Sequence, residues 1–561
     1  MKILARKIQH CLVCIVLVFV TTNVFGQFIP HHTDHEDIYN YLSELRILGV
    51  VDYNPAVKPL SRKAIAEMLV KADTSARLNS IQKKELNFWF QEFGKEIGYG
   101  NVRKKDKFFQ RREYEEMPIK KRLDLFYFSS KQFQLTLNPI ISGFGSVSMG
   151  RDLRRYQWWG GEMFGRIGKN FGFYFSARDY LEQPNFNSNP FLSPNIGGVY
   201  RRTAPGSNAI GFYELRGGIT YDWKWGQIGI VKDHLQLGSA PETSVILTDR
   251  APSFPRIHLQ LKPIRWAELT YTLGWLNSSL VDSSRSYITG NGAYRQVFHR
   301  KFIAANMITI RPWKVLSISV GSSVIIADNN LNVGHFIPIM FYTALDQSFN
   351  GQNNNAGQNS QIYGDISWDV FTWGQLYASV LVDEIQISTI FDSEKQRNAV
   401  SWQVGASTRP LTKANLKFYG SYTRTRPGVY GHYIPTTTYS HAGYGLGHFL
   451  GENSDQMIAG IQLRPIAKMR IVLEWQRWRK GPEHVYGNNA NNLSGAQFLQ
   501  QTLSSSDRVG IRVRYQVIND VIFQLSADYT KGSSDGVYPF PEVQTKNVSE
   551  VWFGLGIQIG M

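Results

Sequence analysis

From residue 123 to the end of the chain, apolar and polar residues alternate with a period of two. Ala267, Leu269, Tyr271, Leu273 and Trp275 are separated by Glu268, Thr270, Thr272 and Gly274. Leu316, Ile318 and Val320 are separated in the same way by Ser317 and Ser319. The rhythm returns with Val509, Ile511, Val513, Tyr515 and Val517 against Arg508, Gly510, Arg512, Arg514 and Gln516. It ends with Val551, Phe553, Leu555, Ile557, Ile559 and Met561 against Trp552, Gly554, Gly556, Gln558 and Gly560. Successive side chains of a strand point to opposite faces, so each run predicts a strand with one apolar and one polar face. A soluble sheet would turn the apolar face to a core, whereas a transmembrane barrel turns it to lipid. The number and length of the runs favour the barrel. So does the last run, which reaches the chain end as the barrel assembly machinery commonly requires.

Punctuation supports hairpins. Leu261-Lys262-Pro263, Ile310-Arg311-Pro312, Thr408-Arg409-Pro410 and Leu463-Arg464-Pro465 each close one run shortly before the next begins. Proline cannot extend a ladder and sets up a tight turn, so these predict short periplasmic turns. Stretches 182–210, 281–298, 345–361, 424–455 and 480–506 are rich in Gly, Asn, Ser, Tyr and Pro and predict long extracellular loops. The expected fold is an all-β membrane protein. At ~10 membrane residues per strand, residues 123–561 form a large antiparallel transmembrane β-barrel of roughly 16 to 18 strands.

Residues 27–120 follow a helical period instead and predict a periplasmic helical region ending in a basic linker. Ile38, Tyr41, Leu42, Leu45 and Leu48 share one face, with Gly49 at the end. Ser61 can cap a second helix carrying Ile65, Met68, Leu69 and Ala72, and Asn79 with Gln82 resembles a capping box before Leu86, Trp89, Phe90 and Phe93. Residues 101 to 123 hold nine Lys/Arg against four Asp/Glu, a solvated linker or a contact with anionic headgroups. Before these, Lys2, Arg6 and Lys7 precede an apolar stretch from Cys11 to Phe25, which predicts a signal peptide over residues 1–26.

Composition narrows the function. The 14 Trp, 28 Tyr and 33 Phe make the chain 13% aromatic, and 43% apolar content excludes disorder. Outside the first 26 residues no apolar run is long enough for a spanning helix. Both cysteines lie in the signal segment, which excludes disulfides and thiol chemistry in the mature chain. The formal charge of +17 falls to 17 − 3 = +14 without Lys2, Arg6 and Lys7. A positive surface attracts acidic polysaccharide or lipopolysaccharide. The compartment excludes nucleic acid.

The phrase Tyr41-Leu42-Ser43-Glu44-Leu45-Arg46-Ile47-Leu48-Gly49 with Lys58-Pro59-Leu60-Ser61-Arg62 resembles the helical start of Wzi-type capsule-assembly proteins. Ser244-Val245-Ile246-Leu247-Thr248-Asp249-Arg250-Ala251-Pro252-Ser253-Phe254-Pro255 is similar to that family's segment between two barrel strands. The resemblance implies an outer-membrane barrel of about 18 strands in a Gram-negative bacterium, with a periplasmic helical bundle. It implies a non-enzymatic protein that binds and anchors surface polysaccharide during capsule assembly; the positive charge adds lipopolysaccharide and outer-membrane lipid as expected partners.

Two sets of residues are candidates for binding. Arg424, Arg426, Tyr430, His432, Tyr433, Tyr439, His441, Tyr444 and His448 concentrate in one predicted loop. Aromatic faces stack on sugar rings and arginine pairs with uronate or phosphate; the alternative is a loop folded over the barrel mouth. The spacing of the three histidines lacks a metal signature, so neither metal nor cofactor is expected. No nucleophile elbow surrounds Ser440, so no catalytic residue is expected. His31, His32 and His35 read as a solvated terminus. The second set, Glu268, Arg470, Glu474, Arg508, Arg512, Arg514 and Asp528, falls on polar faces and predicts a lumen charge network or an anion-lined path. A porin or substrate-specific channel is the alternative to polysaccharide anchoring, and a scaffold of a secretion or motility machine is a further one.

Overall fold

The predicted alternation closes into a ring of eighteen antiparallel strands in the computed structural model. The structure describes residues 28–97, 110–111, 123–130, 132–148, 153–183, 200–203, 209–328, 331–350, 357–370, 373–384, 398–411, 415–486, 496–534 and 548–560. The predicted signal segment, most of the predicted basic linker and much of stretch 182–210 lie outside the described residues.

The ring begins with β1 (Phe133–Ser148), β2 (Arg154–Ile167), β3 (Phe171–Gln183), β4 (Ile210–Trp223), β5 (Gly226–Asp233) and β6 (Phe254–Ile264). It continues through β7 (Ala267–Val281), β8 (Phe298–Trp313), β9 (Leu316–Ala327), β10 (Asn359–Val370), β11 (Gly374–Glu384) and β12 (Ala399–Thr408). It ends with β13 (Lys417–Thr425), β14 (Ser454–Leu463), β15 (Met469–Lys480), β16 (Ser504–Ile518), β17 (Val521–Ser534) and β18 (Val548–Ile559). Each strand pairs with its sequence neighbours, and β18 closes on β1 from Trp552↔Ser148 to Ile559↔Ile141. Closure removes the unpaired edges that no lipid could satisfy.

The register puts the predicted faces where they belong. Val320, Phe553 and Leu555 are more than half exposed on the outer wall, while Ser317 and Ser319 are 1% exposed inside. The connections after β2, β4, β6, β8, β10, β12, β14 and β16 are short and share one end, and the proline motifs mark four of them. At Lys262-Pro263 and Arg311-Pro312 the pairing register shifts, as a residue without an N–H requires. The long connections lie at the other end and include 234–253, which the sequence pattern did not separate from its strands.

Three helices, α1 (Glu36–Ile47), α2 (Arg62–Asp73) and α3 (Ser80–Ile97), pack at the short-turn end. The Ser61 side chain caps α2 by accepting from Ala64 N, and Asn79 and Gln82 exchange the bonds of a capping box before α3. The apolar stripes meet in one core of Ile38, Tyr41, Leu42, Leu45, Ile65, Leu69, Leu86, Phe90 and Phe93. Their polar sides turn to the inner barrel wall. Arg464 pairs with Glu44 and with Glu85 (2.6 Å), Arg46 with Asp369 (3.2 Å), and Arg311 with Asp52 (2.7 Å). Two of these arginines come from the Arg-Pro turns, so the motif both ends a strand and holds the helical region.

The long-loop end is filled from within. Segment 234–253 enters the lumen and packs Leu237, Val245, Ile246 and Leu247 against Val429, Tyr430, Tyr439 and Leu446 of the connection between β13 and β14. Val57–Lys58 of the helical region pairs with Gln236–Leu237, so the two fillings meet inside the barrel.

A fourth helix, α4 (Tyr342–Asn350), corrects the expectation of a plain loop over 345–361. Residues 331–350 fold down the outside of β7, β8 and β9, burying Tyr271, Leu273, Phe302, Val324 and Tyr342 in a shared core. Asn306 and Ser322 are polar positions on this outer face, paired in register with each other. Asn306 donates to Met340 O (2.7 Å) and Tyr271 to His335 O (2.8 Å). Two polar side chains on a lipid-facing wall thus find partners in the covering segment.

Candidate functional site

Between the helical region and the inward-folded segments a chamber of about 590 Å³ remains in the lumen. Its floor comes from α1 and the residues just before it, and its walls from strands on opposite sides of the ring. Ten Lys/Arg and eight Asp/Glu line it, together with Tyr156, Trp158, Tyr180, Tyr377, Tyr419 and Trp552. Tyr156, Tyr180 and Phe212 stack in sequence, with centroids 5.9 and 4.9 Å apart and planes within 19°. The Arg154 guanidinium lies 3.5 Å over the Trp552 ring.

Six of the seven predicted lumen residues meet here: Arg470, Glu474, Arg508, Arg512, Arg514 and Asp528. Alternation along β15, β16 and β17 aims them inward, and cross-strand pairing sets Arg470 beside Arg514. Two adjacent inward arginines need partners, and the first turn of α1 supplies them. Arg470 reaches Glu36 (2.8 Å) and Asp37 (3.1 Å), and Arg514 reaches the same two at 3.2 and 3.3 Å. Carboxylates in a first helical turn also complement the helix dipole. Burial raises the Glu36 pKa, but Arg470, Arg514 and Arg512 outweigh it and bring it down to about 2. The 44% exposure of the Glu36 side chain is toward the chamber. Arg508 pairs with Asp528 (2.8 Å), and Glu474 accepts from Tyr419 (2.6 Å). The seventh, Glu268, sits apart from the chamber and accepts from Asn54 of the helical region (3.2 Å).

The other predicted set divides by burial. Tyr430, Tyr439, His441 and Tyr444 are less than a tenth exposed and hold the inward-folded segment together. Tyr430 donates to Val245 O (2.7 Å), Tyr439 to Ile246 O (2.9 Å), and His441 accepts from Asn277 N (2.9 Å). His448 is buried beside Gln456 at 3.1 Å, and His432 contacts Thr437 at 2.7 Å. Burial lowers all three histidines, His432 and His448 to about 4 and His441 to about 3, so they are neutral at physiological pH. Arg424, Arg426 and Tyr433 stay partly exposed at the long-loop end. The Arg424 guanidinium stacks 3.8 Å over Phe498. The loop goes further than a fold over the barrel mouth: its Val429, Tyr430, Tyr439 and Leu446 pack against segment 234–253 in the lumen, and no linear pattern shows which Tyr goes under.

The solvated terminus is corrected. His31 is 3% exposed and stacked on His35 at 3.8 Å, because the segment before α1 is drawn into the barrel mouth. The aromatic wall of Tyr156, Trp158 and Tyr180 escaped the sequence reading too. Its signal was present as alternate aromatics in adjacent strands.

Fold and lumen together define a large transmembrane β-barrel whose interior is occupied by its own chain. No family model matches the sequence, and no curated protein matches it. Among solved structures, the fold is similar to Wzi of Escherichia coli, an outer-membrane protein involved in group 1 capsule assembly and a carbohydrate-binding β-barrel. The TM-score is 0.57 at 14% identity, over 96% of this chain and 100% of that one. OprD of Pseudomonas aeruginosa, an outer membrane protein, also matches at a TM-score of 0.39 and 10% identity, over 76% of this chain and 93% of that one.

Proposed function

We propose that this protein is a non-enzymatic outer-membrane barrel of the Wzi kind that binds and anchors an acidic surface polysaccharide. One observation carries the reading: the lumen is filled from both ends by the protein's own chain, and the chamber that remains is lined by arginines and stacked aromatic rings. Such a lining offers sugar faces a stacking platform and carboxylates a bidentate partner, while the filling leaves the wide water path of a porin without support. The helical region faces the periplasm and the long loops face the cell exterior. Arg424, Arg426 and Tyr433 at the rim make first contact with the polymer.

Pull-down of the host's acidic surface glycan by the purified protein, at two ionic strengths, tests this. Arg424→Ala with Arg426→Ala lowers capture mainly at low salt, because screening shortens the reach of charge to about 8 Å at physiological ionic strength. Absence of capture by the wild type, together with steady conductance in planar bilayers, would replace this reading by the channel.

A further inference from the structure

His32, just before α1, meets Asp233 and His234 at the end of β5. The ligand atoms of all three lie within 4.8 Å of one another. His32 Nε2 is 2.8 Å from His234 Nδ1 and 3.8 Å from Asp233 Oδ1. Tetrahedral bonds of about 2.0–2.1 Å place two ligand atoms roughly 3.3 Å apart, and the observed separations bracket that value.

The surroundings of the two rings are those of metal ligands. A carboxylate lies beside the far nitrogen of each histidine, Asp34 3.0 Å from His32 Nδ1 and Glu214 3.2 Å from His234 Nε2. A ligating histidine almost always donates its other N–H to such a group, which fixes its tautomer. His32 Nε2 and His234 Nδ1 face each other at 2.8 Å beside a carboxylate, so either one proton or one cation lies between them. The backbone N–H of Asp34 also points at His32 Nδ1 (3.1 Å). The tautomer that accepts it would leave the Asp34 carboxylate against a lone pair. Asp233 is held in place through its other oxygen by Tyr174 (2.8 Å), and Asp34 is further anchored by Arg178 (3.0 Å).

We propose that His32, Asp233 and His234 bind a zinc-class dication. Two imidazoles and a carboxylate suit zinc rather than calcium or magnesium. Both histidines line the chamber, so the fourth position faces it and takes water or a polar group of a bound ligand. The metal staples the segment that leads into the helical region to the barrel wall. It therefore acts on the docking of that region, whatever the chamber holds.

The test uses the full-length protein in detergent, stripped with EDTA and titrated with zinc chloride. Metal content after desalting and the midpoint of heat-induced unfolding are read together. The expected result is one zinc per chain, with a higher midpoint for the loaded protein. His32→Gln and Asp233→Asn abolish both, and Glu214→Gln weakens zinc binding about 10–100-fold. His32 lies outside the strands, so its variant reports on the site even where Asp233→Asn fails to give a folded barrel. Wild type retaining less than one zinc, or His32→Gln binding zinc as tightly as wild type, overturns the proposal.

Discussion

Single residues in this barrel are governed by which way they face. Leu525 is 53% exposed on the outer wall, and its neighbour Gln524 lines the chamber. Leu525→Arg would place a charge in lipid at a cost of roughly 2–4 kcal/mol near the midplane, whereas Gln524→Arg adds a charge to a polar lumen. Heat-modifiable gel mobility should show loss of the folded band in the first and retention in the second. Equal loss would put the register in error. Glu36 makes the second case. Its carboxyl, held at about 2 against an ordinary 4.5, stabilises the docked state fully above pH 4.5, and that contribution disappears as pH falls through about 2. Glu36→Gln should expose α1 to hydrogen exchange at neutral pH. The difference between variant and wild type should shrink as pH falls toward 2 and vanish below it. A difference independent of pH would assign the effect to packing.

At the scale of elements, the covering segment over β7 to β9 shows how far local pattern reaches. Tyr271 and Leu273 sit on the outward face as their alternation predicts, yet both are buried, because residues 331–350 lie over them. The apolar run from Val333 to Leu345 is visible in the sequence, but it has neither the length of a membrane helix nor the alternation of a strand. Only the outward-facing Asn306 and Ser322 show where it belongs, and their orientation depends on register. Tyr342 is fully buried at the centre of this contact. Tyr342→Ala should cost on the order of 3–5 kcal/mol, the usual range for removing a large buried aromatic. It should also lower the midpoint of heat-induced unfolding without changing the strand content seen by circular dichroism. An unchanged midpoint would mean that the segment contributes nothing to the wall.

At the scale of the whole molecule, the helical region and the inward-folded segments make the barrel a container. Arg311, Arg464, Arg470 and Arg514 all turn inward and all find carboxylates on the helical region. Deleting residues 30–95 would remove those partners, and breaking a buried pair from one side typically costs 3–5 kcal/mol. Water entering the vacated end would offset much of that cost. The truncated protein should therefore still insert, conduct ions in planar bilayers where the full chain does not, and retain less polysaccharide on cells. Unaltered conductance would show that the inward-folded segments close the lumen by themselves.

The sequence alone determined the barrel, its approximate strand number, the helical nature of the N-terminal region and the lumen-facing arginines. All four rest on short-range periodicity: a face is set by the parity of a position, and a helix by spacing of three and four. It also marked four short turns and five long connections, though not 234–253, because proline and glycine act locally on the backbone. Only the tertiary structure decided that Glu36 and Asp37 answer Arg470 and Arg514 across more than 430 residues of chain. It alone showed that Tyr430 and Tyr439 fold inward while Tyr433 stays at the rim, and that His32 meets Asp233 and His234. These contacts join segments distant in sequence, and each depends on ring closure and register, which set which inward side chains face one another.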